Sequence, residues 1–70
     1  MNASTLKEEI NRAPFRPFRL HVADGRNIGI PAPDYVHVDP HGRNVFVWGE
    51  DGGYDILKVL LITEIEPTSE

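Results

Sequence analysis

Cysteine is absent from this chain of 70 residues, and long apolar runs are absent as well. Without cysteine there are no disulfides and no zinc sites built on thiolates, which fits a reducing compartment. Residues 1–15 contain no apolar run resembling a signal peptide, and the longest apolar stretch, 59–62, is far too short to span a bilayer. We therefore expect a cytoplasmic protein that does not contact a membrane.

A surplus of positive charge is also lacking, because 11 acidic residues outnumber 7 lysines and arginines and give a formal net charge of −4. General affinity for nucleic acid usually shows as a basic surplus, so binding RNA or DNA would need a local basic face. A chain of this length forms one small domain, 1–70, with a marginal core. Association with another chain is a common source of additional stability at this size.

Side chains for nucleophilic catalysis are few. Ser4 and Ser69 lie near the ends of the sequence, and Thr5 is a predicted helix cap. Thr63 falls in the last predicted strand with no base close in sequence, whereas a nucleophile needs a base beside it. We predict that the chain is not an enzyme, has no catalytic residues, and holds no cofactor or metal.

The sequence does contain clear signals for secondary structure. Thr5 and Glu8 have the spacing of a capping box and predict a helix over 5–12 that packs through Leu6 and Ile10. Apolar and other residues alternate over 17–23, which predicts a first strand, and Asp24-Gly25 predicts a type I′ hairpin turn. Further strands are predicted at 26–30, 35–39, 45–48, 54–59 and 61–66, the last two being separate strands or one strongly bent strand.

These elements predict a mainly β fold of the α+β kind. A short N-terminal helix is followed by a five- to six-stranded antiparallel, strongly bent sheet or a small SH3-like or Sm-like barrel over 17–66. Closure into a barrel would remove the open edges that a small sheet must otherwise protect. We expect the residues after the last strand, 67–70, to form a frayed tail.

Residues 15–30 and 54–66 resemble the Sm-like barrels, including the bacterial Hfq type. The segment 18–26 looks like their first strand and turn, and 54–65 looks like their last two strands. An SH3-like barrel gives nearly the same pattern. The Tyr-Lys-His signature of Hfq is missing, since only Tyr54 and Lys58 stand nearby, so the resemblance does not carry RNA binding over. The opening motif at 14–19 also resembles short uncharacterised bacterial proteins.

Two clusters of polar residues suggest binding sites, each with a simpler alternative. His37, Asp39 and His41 are suitable ligand types for a divalent metal, but residues 39–42 also read as an ordinary turn, which we favour. The arginines near the first strand suggest a patch for single-stranded RNA, with Phe46, Trp48 and Tyr54 as stacking rings. The alternative, which we favour, is that Arg16 and Arg19 pair with Glu8, Glu9 or acidic strand ends. The predicted basic patch consists of Arg16, Arg19, His21, Arg26 and Arg43.

The strands over 45–48 and 56–62 are apolar on both faces, whereas one sheet face is enough to build a core. Either the helix covers the second face, or the face is a contact surface.

We predict a binding protein that takes a protein partner or forms a homo-oligomer, either a dimer or a ring. The alternative is an Sm-like module for single-stranded RNA that uses Arg16, Arg19, Arg26 and aromatic residues. The predicted interaction surface consists of Phe46, Trp48, Ile56, Leu60 and Ile62.

Overall fold

The computed structural model describes residues 1–68, which form a short helix followed by six strands. The helix is α1 (Ala3–Ile10). The strands are β1 (Phe18–Val22), β2 (Asn27–Ile30), β3 (Val36–Val38), β4 (Asn44–Trp48), β5 (Tyr54–Lys58) and β6 (Ile62–Pro67).

The strands form two antiparallel sheets of three strands each. The first sheet has the order β2-β1-β6 and the second has the order β3-β4-β5. A 3₁₀ turn over Val59–Leu61 separates β5 from β6, so two strands rather than one bent strand end the fold. The predicted mainly β fold with a short N-terminal helix is confirmed, and among residues 1–68 no strand ladder closes the two sheets into a barrel.

The helix begins earlier than the capping-box spacing predicts. Asn2 is the N-cap, and its Oδ1 accepts hydrogen bonds from Thr5 N at 2.9 Å and Thr5 Oγ1 at 3.1 Å. Thr5 is therefore inside the helix, and the predicted range 5–12 is wrong because Asn is as good a cap as Thr and stands one turn earlier. Leu6 is fully buried and Ile10 packs against the core, as their spacing predicts.

The first hairpin turns with a different geometry from the one predicted. Gly25 has φ +95°, but Asp24 does not have a positive φ, so the turn is not type I′. Val22 N donates to Arg26 O and Gly25 N donates to Val22 O, each at 2.9 Å, which closes a three-residue loop with glycine in the left-handed position. Asp24 stays at negative φ because only glycine adopts the left-handed region without cost.

The strand bounds differ slightly from those predicted. Strand β2 begins at Asn27, because Arg26 still belongs to the turn, and β5 ends at Lys58, where the 3₁₀ turn begins. Pro67 belongs to β6, and Thr68 N donates to Pro17 O at 3.0 Å. These two residues are therefore paired rather than frayed, and the rest of the predicted tail, 69–70, lies outside the described residues.

The core lies between the inner faces of the two sheets and is entirely apolar among the residues described. The helix closes one side of it through Leu6. The first sheet contributes Phe18, Leu20, Val22, Ile30 and Ile62, the second contributes Val36, Val38, Val45, Val47 and Leu57, and the 3₁₀ turn contributes Val59.

Candidate functional site: the outer face of the second sheet

The outer face of the second sheet is apolar and largely aromatic. Strand residues alternate between faces, and the odd-numbered Val45, Val47 and Leu57 point into the core. Their even-numbered neighbours therefore point outward, with Phe46 opposite Ile56 and Trp48 opposite Tyr54. We call this surface the aromatic face and define it as Phe46, Trp48, Tyr54 and Ile56.

The aromatic face is open to solvent. Trp48 is 40% exposed, Ile56 is 54% exposed and Tyr54 is 67% exposed, while Phe46 is half-buried. The rings of Phe46 and Trp48 stack with centroids 6.3 Å apart and an interplanar angle of 24°. Contiguous exposed apolar surface of this kind marks contact sites more often than isolated apolar residues do.

The helix does not bury this face. It packs beside β3, where Lys7, Ile10 and Asn11 line a shallow cleft against residues 36–38. The only member of β3 that faces outward in the ladder is His37, which pairs with Phe46 and is exposed. The aromatic face is thus flanked by a histidine on the helix side and has no covering element among residues 1–68.

The structure brings together three of the five residues predicted for the interaction surface, namely Phe46, Trp48 and Ile56. Leu60 is 85% exposed but sits on the 3₁₀ turn, where it lines a separate cleft with Met1 and Ala3. The inclusion of Ile62 is wrong, since it is only 1% exposed and belongs to the core. The 3₁₀ turn interrupts the strand alternation, so residues 56 and 62 do not share a face.

Tyr54 belongs to the aromatic face although the sequence-based surface omits it. Its signal in the sequence is the two-residue spacing to Ile56, which places both side chains on one face of a strand. The sequence-based prediction extended the alternation from Ile56 to Leu60 and Ile62 and named Tyr54 only as a stacking ring for the RNA alternative. Tyr54 is also the most exposed member of the face.

Charged residues lie at the two ends of the aromatic face. Beyond Trp48 and Tyr54, the β4–β5 turn carries Glu50 and Asp51, and one carboxylate oxygen of Asp51 accepts from Gly53 N at 2.9 Å. At the other end, Lys58 lies opposite Asn44. The face therefore has an acidic end and a basic end.

The five residues of the predicted basic patch are distributed over the first sheet and three connecting segments. Arg19 and His21 share the outer face of β1, whereas Arg16, Arg26 and Arg43 lie outside the strands. His21 Nε2 lies 2.7 Å from Glu66 Oε1. Arg16 Nε lies 2.9 Å from Glu9 Oε2, as the predicted alternative of local pairing has it. Arg26, whose pairing was not predicted, has Nε 2.8 Å from Asp24 Oδ2 and Nη1 3.6 Å from Asp55 Oδ1.

Arg19 lies across the neighbouring strand. Its Nε donates to Asn27 Oδ1 and its Nη2 donates to Asn27 O at 3.2 Å. In the β1–β2 turn, the pKa of Asp24 is lowered, first by the hydrogen bond from the Arg26 amide and further by the Arg26 side chain, against a smaller opposing effect of desolvation. These positive charges are thus largely engaged by groups of the same domain.

The carboxylate of Asp39 organises the β3–β4 turn. It accepts from the amides of His41 at 2.8 Å, Arg43 at 3.2 Å and Asn44 at 2.9 Å, and from Asn44 Nδ2 at 3.0 Å. Desolvation alone would raise the pKa of Asp39, but these hydrogen bonds to the charged form outweigh it and lower the pKa to about 2. Of the three metal-ligand candidates, Asp39 has its oxygens taken up by the turn.

Comparisons with known proteins add no relative. No protein-family model, no curated protein and no solved structure matches the chain. Within residues 1–68, no group of three or more histidine, aspartate or glutamate side chains is arranged to hold a metal ion. Over the same residues, no helix has the length and apolar character needed to cross a membrane.

Proposed function

We propose that this chain is a non-enzymatic binding domain and that the aromatic face is its contact surface for a protein partner. The observation that carries the proposal is that Trp48, Tyr54 and Ile56 stay exposed although the core is filled without them. Tyr and Trp are enriched among the residues that dominate protein–protein binding energies. Their exposure here has no role in the fold's own packing.

The aromatic face is also well prepared for binding. Its side chains stand on paired strands, and the stacked rings of Phe46 and Trp48 restrict each other's rotamers. A contact surface that is rigid before binding loses less entropy on association. An exposed apolar face on a loop would lack this advantage.

The charges at its ends define the chemistry of the partner. An apolar side chain of the partner would lie over Trp48 and Ile56, and a basic group would face Glu50 and Asp51. The chain's net charge of −4 favours the approach of a basic surface. We therefore infer a partner with an apolar patch bordered by lysine or arginine.

The hydroxyl groups support a binding role over catalysis. Thr63 Oγ1 donates to His21 O at 3.2 Å, and Thr5 Oγ1 donates to Asn2 Oδ1 at 3.1 Å. These two of the four hydroxyl side chains considered above are thus engaged in structural hydrogen bonds, and neither has a base as its partner. A cytoplasmic location remains part of the proposal, since the absence of cysteine fits a reducing compartment.

A second candidate function is an Sm-like module that binds single-stranded RNA. The stacked Phe46 and Trp48 favour it, because such rings provide a platform for bases. Against it, Arg16 and Arg26 are paired with carboxylates, and Arg19 lies on the other sheet. RNA binding through phosphates would weaken steeply as salt rises, which separates the two functions.

The decisive variant is Trp48→Ala, matched with His21→Ala on the outer face of the first sheet. Partners captured by the wild-type chain are purified and their affinities measured directly for both variants. We expect Trp48→Ala to weaken binding about thirtyfold, as loss of a central aromatic contact does, and His21→Ala to leave it unchanged. Equal affinity of the wild-type chain and Trp48→Ala would exclude the aromatic face, and salt-sensitive binding of a labelled single-stranded RNA that Arg19→Ala abolishes would favour the alternative.

A further inference from the structure

The outer edge of β5 has open hydrogen-bonding positions. Gly49 N donates to Gly53 O at 2.7 Å and Val59 N donates to Arg43 O at 2.9 Å, which fixes the alternation of the β4–β5 ladder. Asp55 and Leu57 therefore bond to β4. The backbone groups of residues 54, 56 and 58 point away from it, and among residues 1–68 no strand pairs with that side of β5.

The other edge strands are protected. Strand β3 lies beside α1, and β6 carries Pro67, which has no N–H, at an outward-facing position. In β2 the outward carbonyl of Asn27 is already bonded by the Arg19 side chain. Natural sheets block their edges in these ways to prevent uncontrolled pairing. Strand β5 has neither proline nor glycine within it. Arg26 Nη1 lies 3.6 Å from Asp55 Oδ1, but the backbone of Asp55 bonds to β4, so this side-chain contact leaves the outward backbone groups of residues 54, 56 and 58 open.

We propose that β5 pairs with β5 of a second copy of this chain, antiparallel and centred on Ile56, to form a twofold dimer. Antiparallel pairing about Ile56 places residues 54, 56 and 58 opposite residues 58, 56 and 54 of the second copy. All three are the positions with outward-facing backbone groups, so each pair can exchange two hydrogen bonds. A shift by two residues in either direction would lose one of these pairs.

The side chains also fit this register. On the outer face, Ile56 meets Ile56 of the second copy, and Tyr54 lies opposite Lys58 of the second copy. Aromatic and cationic side chains attract each other, and no two like charges lie directly opposite. On the inner face, Asp55 lies opposite Leu57 of the second copy, so the negative charges are also kept apart.

The dimer would leave most of the aromatic face available. The twofold axis of an antiparallel strand pair is perpendicular to the sheet, so both aromatic faces would lie on the same side of a continuous sheet. Phe46 and Trp48 lie on β4, away from the new edge contact. The proposal thus differs from the expectation that a second copy covers the apolar face, and it holds whether or not that face binds a protein.

The contact is small, because a pair of five-residue strands buries less than a standard interface. We expect a dissociation constant on the order of micromolar and a dimer that dissociates on dilution. Sedimentation velocity over a range of concentrations around that value measures it. A chain that stays monomeric up to millimolar concentration would overturn the proposal.

Cross-linking tests the register. The chain has no cysteine, so Ile56→Cys introduces a single thiol at the proposed axis. Directly opposite residues in a hydrogen-bonded pair have Cα and Cβ atoms about 5.5 Å apart, which is too far for an unstrained disulfide but within reach of a short bifunctional thiol reagent. We expect rapid formation of a covalent dimer with such a reagent, and slow formation for the control Glu8→Cys on the exposed helix surface. Equal rates for the two variants would overturn the proposed register.

A pair of charge changes in β5 distinguishes edge pairing from contact through the aromatic face. Tyr54→Lys places a new positive charge opposite Lys58 of the second copy in both symmetric pairs, and we expect the dimer dissociation constant to rise about tenfold. Adding Lys58→Glu should restore wild-type affinity, because opposite charges then face each other. Both positions are exposed, so the fold tolerates the changes.

The control is Trp48→Ala, which should leave the dimer dissociation constant unchanged. If Trp48→Ala abolishes the dimer and the charge pair has no effect, the second copy binds on the aromatic face and edge pairing is refuted. A Trp48→Ala variant that no longer binds the partner but still dimerises would support edge pairing. A wild-type chain that binds the partner but stays monomeric would refute the dimer and leave the proposed function intact.

Discussion

The two sheets have similar inner faces and opposite outer faces. Inside, both present aliphatic residues to one core, to which the first sheet adds Phe18. Outside, the first sheet presents Arg19, His21 and Glu66, which are engaged in hydrogen bonds or an ion pair, while the second presents the aromatic face. Because the outer face of the first sheet is polar, the fold does not need an apolar outer face on a sheet. The aromatic face is therefore a property of the second sheet that the fold itself does not require.

The largest expected effect is the loss of stability when a core side chain is truncated, which tests whether the two inner faces are equivalent. Leu20→Ala in the first sheet removes a fully buried side chain, and we expect a loss of about 2–5 kcal/mol in the free energy of unfolding. Val47→Ala in the second sheet should cost somewhat less, since it deletes fewer atoms from an equally buried site. Urea denaturation followed by Trp48 fluorescence measures both.

The outward neighbour His21→Ala is the matched control, and its unfolding free energy should change by less than about 1 kcal/mol. If Val47→Ala were as mild as this control, the second sheet would not share the core, and the two inner faces would not be equivalent.

We expect substitution of the turn glycine to destabilise the hairpins of the two sheets by similar amounts. Gly25 joins β1 to β2 at φ +95°, Gly52 joins β4 to β5 at φ +92°, and an added Cβ would meet no atom within 4 Å at either site. Gly25→Val and Gly52→Val should each cost about 1–3 kcal/mol through backbone strain alone. Thermal unfolding of Gly25→Asn provides the control, because asparagine tolerates positive φ and should cost less. A neutral valine at one site only would show that the turns differ.

The carboxylates of Asp39 and Asp24 accept different sets of hydrogen bonds in their turns, and we expect the pH dependence of stability to show the difference. The folded pKa of Asp39 is about 2, below the ordinary value of about 3.9, so its contribution to stability is present above pH 4 and is lost as the pH falls toward 2. Asp39→Asn should lower the melting temperature at pH 6, and the difference from wild type should shrink between pH 4 and pH 2.

The comparison variant is Asp24→Asn in the first sheet. Its carboxylate is also stabilised in the charged form, chiefly by hydrogen bonds from the amide and side chain of Arg26. We expect a smaller loss at pH 6 than for Asp39→Asn, with the same sign of pH dependence. A larger loss would mean that the β1–β2 turn, rather than the β3–β4 turn, is the more dependent on its carboxylate.

The smallest effect concerns the polar outer face of the first sheet. Glu66→Gln removes the charge that faces His21, and we expect a change of less than about 1 kcal/mol in the free energy of unfolding, because exposed ion pairs contribute little. The change should shrink further in concentrated salt, since screening weakens such pairs. A larger loss that persists in high salt would show that this face stabilises the fold by more than charge pairing.

Local signals in the sequence predicted most of the elements but not all of their limits. The alternation in Phe18, Leu20 and Val22 identified β1, because a half-buried strand repeats every two residues. The helix start was placed at Thr5, since two good capping residues stand within one turn and sequence spacing does not decide between them. The hairpin position at Asp24-Gly25 was found, but its turn type depends on backbone angles that the dipeptide does not specify.

Only part of the aromatic face was predicted, because strand alternation holds only within an unbroken strand. The two apolar faces of the strand over 45–48 required that one be exposed or covered, and Phe46 and Trp48 followed from alternation. Ile62 was misplaced because a 3₁₀ turn, which has no clear signal in the run from Val59 to Leu61, resets the alternation before β6. Tyr54 was considered only as a stacking ring for the alternative RNA site and was left out of the interaction surface, which beyond Phe46 and Trp48 was drawn from the aliphatic residues of 56–62.

By itself, the sequence determined the order of helix and strands, the absence of disulfides, and the excess of apolar residues beyond what one core needs. These properties depend on composition and on periods of a few residues. The tertiary structure alone decided that α1 packs beside β3, that β5 and β6 join different sheets, and that the excess apolar residues form one open face beside an open strand edge. Such arrangements arise from contacts between distant segments, and no local pattern records which segments meet.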